Sequence, residues 1–321
     1  MVSAPKGIAL GPEDDDVRHA LRLVRKVRPP TPVQGAVAIA RGVSLKREDL
    51  GPLRCFKWRG ALVGCDALRR EGASAVVTAS TGNHGAAVAW AAARLGLAAL
   101  VFVPRGSLPA KLARIAGAGA QLREVGDALP EAAAAAAAHA AEHGMALLED
   151  GASPAQLAGT ATIGVELAPL DIDLVLVPLA CGALAGGLAR GVKRAAVHPP
   201  RVVGVQARGY ERLGAVLAGS PDPGATPGSS TIADGLADNR LVEPALSTCR
   251  EYLDDVVVVD DDAMRAAICE LHATCGVVAE PAAAAALAAL RVHAEQLEAR
   301  RPLLVISGGN LSPELAAGLI G

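Results

Sequence analysis

The sequence predicts an α/β protein whose mostly parallel sheet is covered by helices, as one large domain or as two interleaved lobes. Short runs of β-branched residues alternate with Ala- and Leu-rich helical stretches, which is typical of βαβ units. The 321 residues exceed one minimal domain. Hydrophobic residues make up 51% of the chain but aromatic residues only 2%, so Ala, Val, Leu and Ile must form the core. Such a core suits helices packed on a parallel sheet.

Seven short segments, most of them rich in β-branched residues, alternate with helical patterns and are predicted to be strands. They are residues 76–80, 99–103, 121–125, 174–177, 202–205, 256–259 and 303–307. Ligands of parallel sheets bind beyond the carboxyl ends of strands, where loops lead into helices. The residues after the first, fourth and last of these strands are therefore candidates for a ligand site.

Composition argues against several kinds of partner and site. The net charge is −2 and no basic block stands out, so nucleic acid and membrane surfaces are not expected partners. The six cysteines lack C-x-x-C spacing, which indicates reduced thiols rather than zinc ligands or disulfides. The acidic N-terminal segment and the absence of a long apolar run predict a cytoplasmic protein. We expect a small-molecule partner.

Two segments have a biased composition. The Ala-rich residues 132–141 predict a surface helix, since alanine is the best helix former. The Pro-, Gly- and Ser-rich residues 219–230 predict a surface loop rather than a domain boundary.

Lys57 is a candidate nucleophile. Its neighbours Phe56 and Trp58 are expected to desolvate it partly, which lowers the pKa of the amine and favours Schiff-base formation. The local sequence also fits a solvated lysine at the start of a helix. The lysine alone therefore does not establish a function.

Two loops that follow predicted strands have the character of anion-binding sites. Residues 80–84, Ser-Thr-Gly-Asn-His, precede a helix whose first N–H groups attract a carboxylate; simple N-capping fits the same spacing. Residues 180–183, Ala-Cys-Gly-Ala, let backbone amides approach a phosphate at a helix start. Packing of that helix on the sheet also favours small residues.

The motifs gain meaning from their order. Between about residues 31 and 310 the chain carries seven motifs in a fixed order. They are Lys-Arg-Glu-Asp, Phe-Lys-Trp-Arg-Gly-Ala, Ser-Thr-Gly-Asn-His-Gly, the small-residue loop at 180–183, Thr-Ile-Ala-Asp-Gly, Ala-Glu-Pro-Ala and Ile-Ser-Gly-Gly-Asn. This series resembles the fold-type II pyridoxal phosphate (PLP) enzymes, which are tryptophan synthase β-like, and specifically the threonine/serine dehydratase and serine racemase group. The resemblance implies two three-layer αβα lobes and a homodimer. Residues 1–70 and 152–321 would form the large PLP-binding domain, and residues 71–151 the small domain.

The resemblance also implies residue roles. Lys57 would hold PLP as a Schiff base and move the Cα proton, Asn83 would bind the cofactor's 3-hydroxyl, and Ser307 its pyridine nitrogen. A neutral serine there favours expulsion of a β-group over fuller carbanion delocalisation. The substrate-binding set is Ser80, Thr81, Gly82, Asn83 and His84. The remaining cofactor-binding set is Phe56, Ala180, Cys181, Gly182, Ala183, Leu184, Gly235, Glu280 and Gly308.

The implied activity is β-elimination from a serine- or threonine-like 3-hydroxy amino acid, which yields a 2-keto acid and ammonia. Three alternatives stay open: racemisation with Thr81 as a second catalytic group, β-replacement or a threonine synthase-like step, and an inactive binding protein on the same fold. The Thr81 hydroxyl is also explained by a helix cap or a substrate contact.

The chain departs from the family pattern at several positions. Ala180, Cys181 and Ala183 replace glycines of the phosphate loop, and a Cβ at a position with φ > 0 would cost about 1 kcal/mol. Cys55 stands where serine is common and is not expected to be catalytic. The racemases' divalent-metal site is predicted to be absent, because Gln206, Tyr210 and Arg212 offer no carboxylates. With the last residue at 321, we expect neither a regulatory domain nor feedback control by isoleucine.

Overall fold

The computed structural model describes residues 10–224, 226 and 228–320, and the fold is α/β as predicted. Residues 1–9, part of the N-terminal segment on which the prediction of a cytoplasmic protein rests, lie outside the described residues. The strands are β1 (Val33–Gly35), β2 (Ser44–Arg47), β3 (Ala75–Ala79), β4 (Ala98–Val103), β5 (Gln121–Glu124), β6 (Ala146–Leu147), β7 (Leu174–Pro178), β8 (Arg201–Ala207), β9 (Asp255–Val259) and β10 (Pro302–Ile306). The helices are α1 (Asp15–Val27), α2 (Lys57–Arg70), α3 (Asn83–Leu95), α4 (Pro109–Gly117), α5 (Leu129–His143), α6 (Pro154–Leu167), α7 (Ala183–Ala195), α8 (Arg212–Leu217), α9 (Ala245–Tyr252), α10 (Asp261–Cys275), α11 (Pro281–Val292), α12 (Ala294–Leu297) and α13 (Pro313–Leu319).

The larger sheet has the strand order β1-β2-β10-β7-β8-β9. Only the edge strand β1 is antiparallel to its neighbour; the other pairs are parallel. Because β10 lies between β2 and β7, the loops that follow β10 and β7 open side by side at one edge of the sheet. This arrangement brings two of the predicted ligand loops together.

The smaller sheet has the order β5-β4-β3-β6, and all of its strand pairs are parallel. It uses only residues 75–147. That separation from the larger sheet supports the predicted small domain at 71–151, although the domain boundaries themselves stay a prediction.

Apolar side chains cover both faces of the larger sheet. On one face, α11 buries a run of alanines whose small side chains let the helix lie close to the strands. On the other face, α6 and α7 pack through leucines and valines. The larger sheet is thus an inner layer between helices, as the alternating sequence pattern predicts.

The seven predicted strands are confirmed, with ends that differ by at most a few residues. The sequence analysis missed β1, β2 and β6. These strands contain two to four residues, and β1 and β2 carry polar side chains, so they lack a long apolar run. The Ala-rich segment is a helix as predicted, α5, which buries Ala132, Ala136 and Ala140 along one face.

The described helices include none long and apolar enough to span a bilayer.

All six cysteines are free, and four of them, Cys55, Cys65, Cys181 and Cys249, are buried. Burial raises the pKa of each of these four thiols to about 12. We therefore expect a chromogenic disulfide reagent at mildly alkaline pH to titrate at most the two partly exposed thiols, Cys269 and Cys275, in the native protein, and all six after unfolding. Rapid reaction of more than two native thiols would contradict this burial.

Candidate active site

Lys57 is the first residue of α2, and its side chain is only 18% exposed. Its Nζ forms an ion pair with a carboxylate oxygen of Asp150 and lies 4.8 Å from the centre of the Phe56 ring. Trp58 points elsewhere: it is fully buried, with its ring centroid 6.1 Å from that of Trp90. Of the two predicted aromatic neighbours, only Phe56 therefore contacts the amine.

The prediction that the pKa of Lys57 is lowered was wrong. Burial does act in that direction, but the Asp150 carboxylate outweighs it, and the pKa of Lys57 is raised. Although burial opposes the effect, Lys57 and His84 in turn hold the pKa of Asp150 well below its usual range. Asp150 is 93 residues from Lys57 in the chain, so the sequence around the lysine gave no sign of it.

His84 joins this pair from the start of α3. Its Nε2 donates to the Leu148 carbonyl oxygen at 3.1 Å, and its Nδ1 lies 3.6 Å from Asp150 Oδ1. The ring is buried, and burial lowers the pKa of His84 despite the neighbouring carboxylate. The structure thus brings together two residues that the sequence singled out, Lys57 and His84, through a third that it did not.

The loop between β3 and α3 leaves the start of the helix open. No described side chain caps α3; instead Ser80 Oγ accepts a hydrogen bond from Gly82 N at 3.1 Å. The Thr81 side chain forms no hydrogen bond within the described residues. Simple N-capping is therefore not the explanation of this motif, and the first N–H groups of α3 are available to an anion.

Asn83 is the centre of a polar network. Its Nδ2 donates to both carboxylate oxygens of Glu280, each at 3.1 Å, and its Oδ1 accepts from Arg114 at 2.7 Å and from Asn310 at 2.8 Å. Burial raises the pKa of Glu280. The network joins α3, α4 and the chain after β10, and sequence reasoning missed Arg114 as one of its members.

The residues that follow β10 lie beside Lys57. Phe56 N donates to the Ser307 carbonyl oxygen at 2.9 Å, and Cys55 forms an isolated β-bridge with Gly308. A Cβ at Gly308 would lie 2.4 Å from Glu280 Oε1, so only glycine allows this close approach. Ser307 is 2% exposed, and its hydroxyl forms no hydrogen bond with any described residue.

The small-residue loop connects β7 to α7. Among residues 180–183, all of which the structure describes, only Gly182 has a left-handed φ, of 97°. The anticipated penalty at Ala180, Cys181 and Ala183 therefore does not arise, because none of them needs φ > 0. Gly182 is thus the glycine of this loop, and it stands at the one loop position whose backbone φ is left-handed.

This geometry predicts the effect of Gly182→Ala. The new Cβ would lie 2.8 Å from Cys249 Sγ at a backbone conformation that disfavours side chains. We expect a loss of about 1–3 kcal/mol in unfolding free energy and weaker PLP binding, measured by urea unfolding and by cofactor titration. Gly117→Ala is the control, since nothing lies within 4 Å of its added Cβ. Equal behaviour of the two variants would refute the role given to the loop.

Two further predicted residues lie at the starts of helices α11 and α7. Gly235 contacts the start of α11, where an added Cβ would be 3.0 Å from that of Ala282. Leu184 is buried in the first turn of α7. Sequence reasoning missed Arg240, which binds Asp238 through two hydrogen bonds of 3.0 and 2.8 Å and lies near Asp150.

Comparisons with known proteins identify the family to which the chain is similar. Residues 24–308 match the family described as pyridoxal-phosphate dependent enzyme. The biosynthetic L-threonine dehydratase of Salmonella typhimurium is 35% identical over 276 residues, which are 84% of this chain but 53% of that protein. This chain thus spans about half the length of that relative. The processed threonine deaminase isoform 2 of Solanum lycopersicum has a TM-score of 0.87 at 25% identity, over 99% of this chain and 92% of that one. Maize serine racemase has a TM-score of 0.85 at 26% identity, with 95% of each chain covered.

Proposed function

Because the chain belongs to the pyridoxal-phosphate dependent enzyme family, we propose that it uses PLP to eliminate the β-substituent of a small amino acid. The proposed substrate is a serine- or threonine-like 3-hydroxy amino acid, and the products are a 2-keto acid and ammonia. One observation carries the proposal: Lys57 shares a cavity with His84 and Ala183, which follow β3 and β7, and its neighbour Phe56 is hydrogen-bonded to Ser307 after β10.

The residues at this junction fit the cofactor. The Ser307 hydroxyl has no protein partner among the described residues and suits a pyridine nitrogen. The 180–183 loop leads into α7, a helix of 13 residues, so its backbone amides and the helix dipole suit a phosphate. Lys57 supplies the amine that would hold the aldehyde, and Asn83, the first residue of α3, accepts a hydrogen bond from Asn310 in the segment that follows Ser307. Asn83 Nδ2, now donating to Glu280, is the donor we assign to the ring hydroxyl.

The chemistry divides between cofactor and protein. When bound, PLP supplies the electron sink that lets the Cα proton and then the β-group leave. Lys57 Nζ removes the Cα proton, and Asp150 stabilises the resulting ammonium through the ion pair. The open N–H groups of α3 bind the substrate carboxylate, while Thr81 and His84 line the same side. The names of the relatives support a threonine-like substrate.

A substrate panel tests this proposal. The cofactor-loaded protein is incubated with serine, threonine and bulkier 3-hydroxy amino acids, and keto acid and ammonia are measured. We expect both products in equal amounts from at least one of these substrates. Absence of product from every member of the panel, in protein that holds the cofactor, would contradict β-elimination.

Racemisation is the second candidate, favoured by the Thr81 hydroxyl, which no described residue engages. A hydroxyl on the side of the substrate opposite Lys57 is a suitable second proton donor. Chiral analysis of the recovered substrate separates the two activities. Unchanged configuration together with keto acid favours elimination alone.

We also propose that the protein is a cytoplasmic homodimer. The family resemblance supports this, and sedimentation measurements would test the assembly.

A further inference from the structure

Arg114 is a half-buried cation on α4 that forms no ion pair with any residue the structure describes. Its Nη2 donates to Asn83 Oδ1 at 2.7 Å, and its Nε is buried without a hydrogen-bond partner in the described part of the chain. A guanidinium that is partly removed from water and not neutralised acts strongly on the dipoles that it contacts. The dipole in contact with Arg114 is the side-chain amide of Asn83.

The packing of α4 holds this contact in place. Ile115, the residue after Arg114, is fully buried, and an added Cβ at Gly85 of α3 would lie 3.3 Å from its Cδ1. The two helices are thus in contact beside the hydrogen bond from Arg114 to Asn83. This packing keeps the guanidinium against the amide.

The hydrogen bonds determine which way the Asn83 amide points. Its Oδ1 accepts from Arg114 and, at 2.8 Å, from Asn310, while its Nδ2 donates to both carboxylate oxygens of Glu280. A flipped amide would set its N–H groups against two donors and its oxygen against a carboxylate. Because Nδ2 carries two N–H groups, one can serve the carboxylate while the other serves a ligand.

The charge of Arg114 strengthens Nδ2 as a donor. A cation at the amide oxygen draws electron density from the nitrogen, and hydrogen bonds in such a chain reinforce one another. Burial raises the pKa of Glu280 while the charge of Arg114 opposes that rise, so the positive charge acts on this end of the network. A hydrogen bond to an ionised oxygen is roughly twice as strong as one between neutral groups. Nδ2 therefore suits an oxyanion better than a neutral hydroxyl.

We propose that Arg114 is a positioning residue that acts through Asn83 to hold the cofactor's ring hydroxyl in its ionised form. This inference rests on the PLP binding proposed above and adds a residue to it. The O–H bond of the ring hydroxyl breaks, and its proton passes to the imine nitrogen that joins Lys57 to the cofactor. A protonated imine is the better electrophile for the incoming substrate amine, so Arg114 contributes to the reaction without touching the substrate.

A purely structural role for Arg114 predicts a different result. If Arg114 only fastened α4 to α3, its loss would lower the stability and leave the protonation of the bound cofactor unchanged. Absorbance separates the two roles, because the form with an ionised ring oxygen absorbs at longer wavelength than the form with a neutral hydroxyl.

The test records the absorbance of the cofactor-loaded wild-type protein and of three variants at one pH. Arg114→Lys keeps a charge, Arg114→Gln keeps a donor without the charge, and Arg114→Met keeps neither. We expect the ratio of long- to short-wavelength absorbance to stay within about twofold of the wild type in Arg114→Lys. The ratio should fall at least about threefold in Arg114→Gln and further in Arg114→Met, and kcat/KM should fall in the same order.

Arg105→Gln is the control, since its exposed ion pair with Asp127 lies at the start of the segment that leads into α4; its ratio should equal that of the wild type. An unchanged ratio in Arg114→Gln and Arg114→Met would overturn the inference. If neither variant folds, the wild-type protein still decides, because a spectrum dominated by the short-wavelength form at neutral pH would overturn the inference as well. Wild-type protein with no absorbance of a bound cofactor would instead refute the proposed function.

Discussion

Replacing Lys57 by alanine should reduce keto-acid formation by roughly 10³-fold or more, because the loss of a general base alone costs 10²–10⁴-fold. The variant also loses the amine that would hold the cofactor. Steady-state release of keto acid and ammonia measures the effect, and cofactor absorbance on the purified protein shows the loss of the covalent link.

Lys57→Arg is the control for this experiment. It keeps a positive charge opposite Asp150 but provides no primary amine, so we expect a folded protein that is equally inactive. If either variant kept more than about a tenth of the wild-type rate, Lys57 would not be the catalytic amine.

The second large effect is on stability and concerns Arg59, two residues after Lys57 in α2. Its guanidinium is fully buried and binds Glu48 through bonds of 2.9 and 2.9 Å and Glu166 at 2.7 Å. Arg59→Ala would leave two buried carboxylates without their main partner, so we expect a loss of about 3–5 kcal/mol in unfolding free energy. Urea unfolding measures this loss.

We expect Arg59→Ala to lower the rate of keto-acid formation as well as the stability. Arg59 joins the first turn of α2, which carries Lys57, to Glu166 in α6. Arg105→Ala is the matched control: it breaks an exposed pair with Asp127, 3.0 Å long, and should cost less than about 1 kcal/mol. Similar losses in the two variants would show that the buried cluster does not hold the start of α2.

Much of the fold follows from local patterns. Six of the seven predicted strands are mainly apolar runs long enough to be recognised alone, whereas residues 121–125 are mostly polar; the parallel order of the strands follows from the helices between them. The three missed strands are short, and neighbouring strands stabilise them rather than their own sequence.

The site was predictable to the extent that its residues belong to motifs. Lys57, Asn83 and Ser307 follow a turn or a strand end within recognisable motifs, and hydrogen bonds link the segments that carry them. Asp150, Arg114 and Arg240 were missed because their importance depends on contacts between distant segments. Asp150 follows β6 closely, so recognition of that two-residue strand would have marked it as a candidate.

The ion pair also shows the limit of reasoning from neighbours in sequence. Phe56 does lie against the Lys57 amine, and burial does act to lower its pKa. A single carboxylate from another part of the chain reverses the result.

Borohydride reduction of the freshly isolated, cofactor-loaded protein tests the central claim most directly. Reduction fixes an imine as a stable bond, and peptide mass spectrometry then locates it. The account predicts one phosphopyridoxyl group on the peptide that contains Lys57. A Lys57 peptide of unmodified mass, or the group on another lysine, would contradict it.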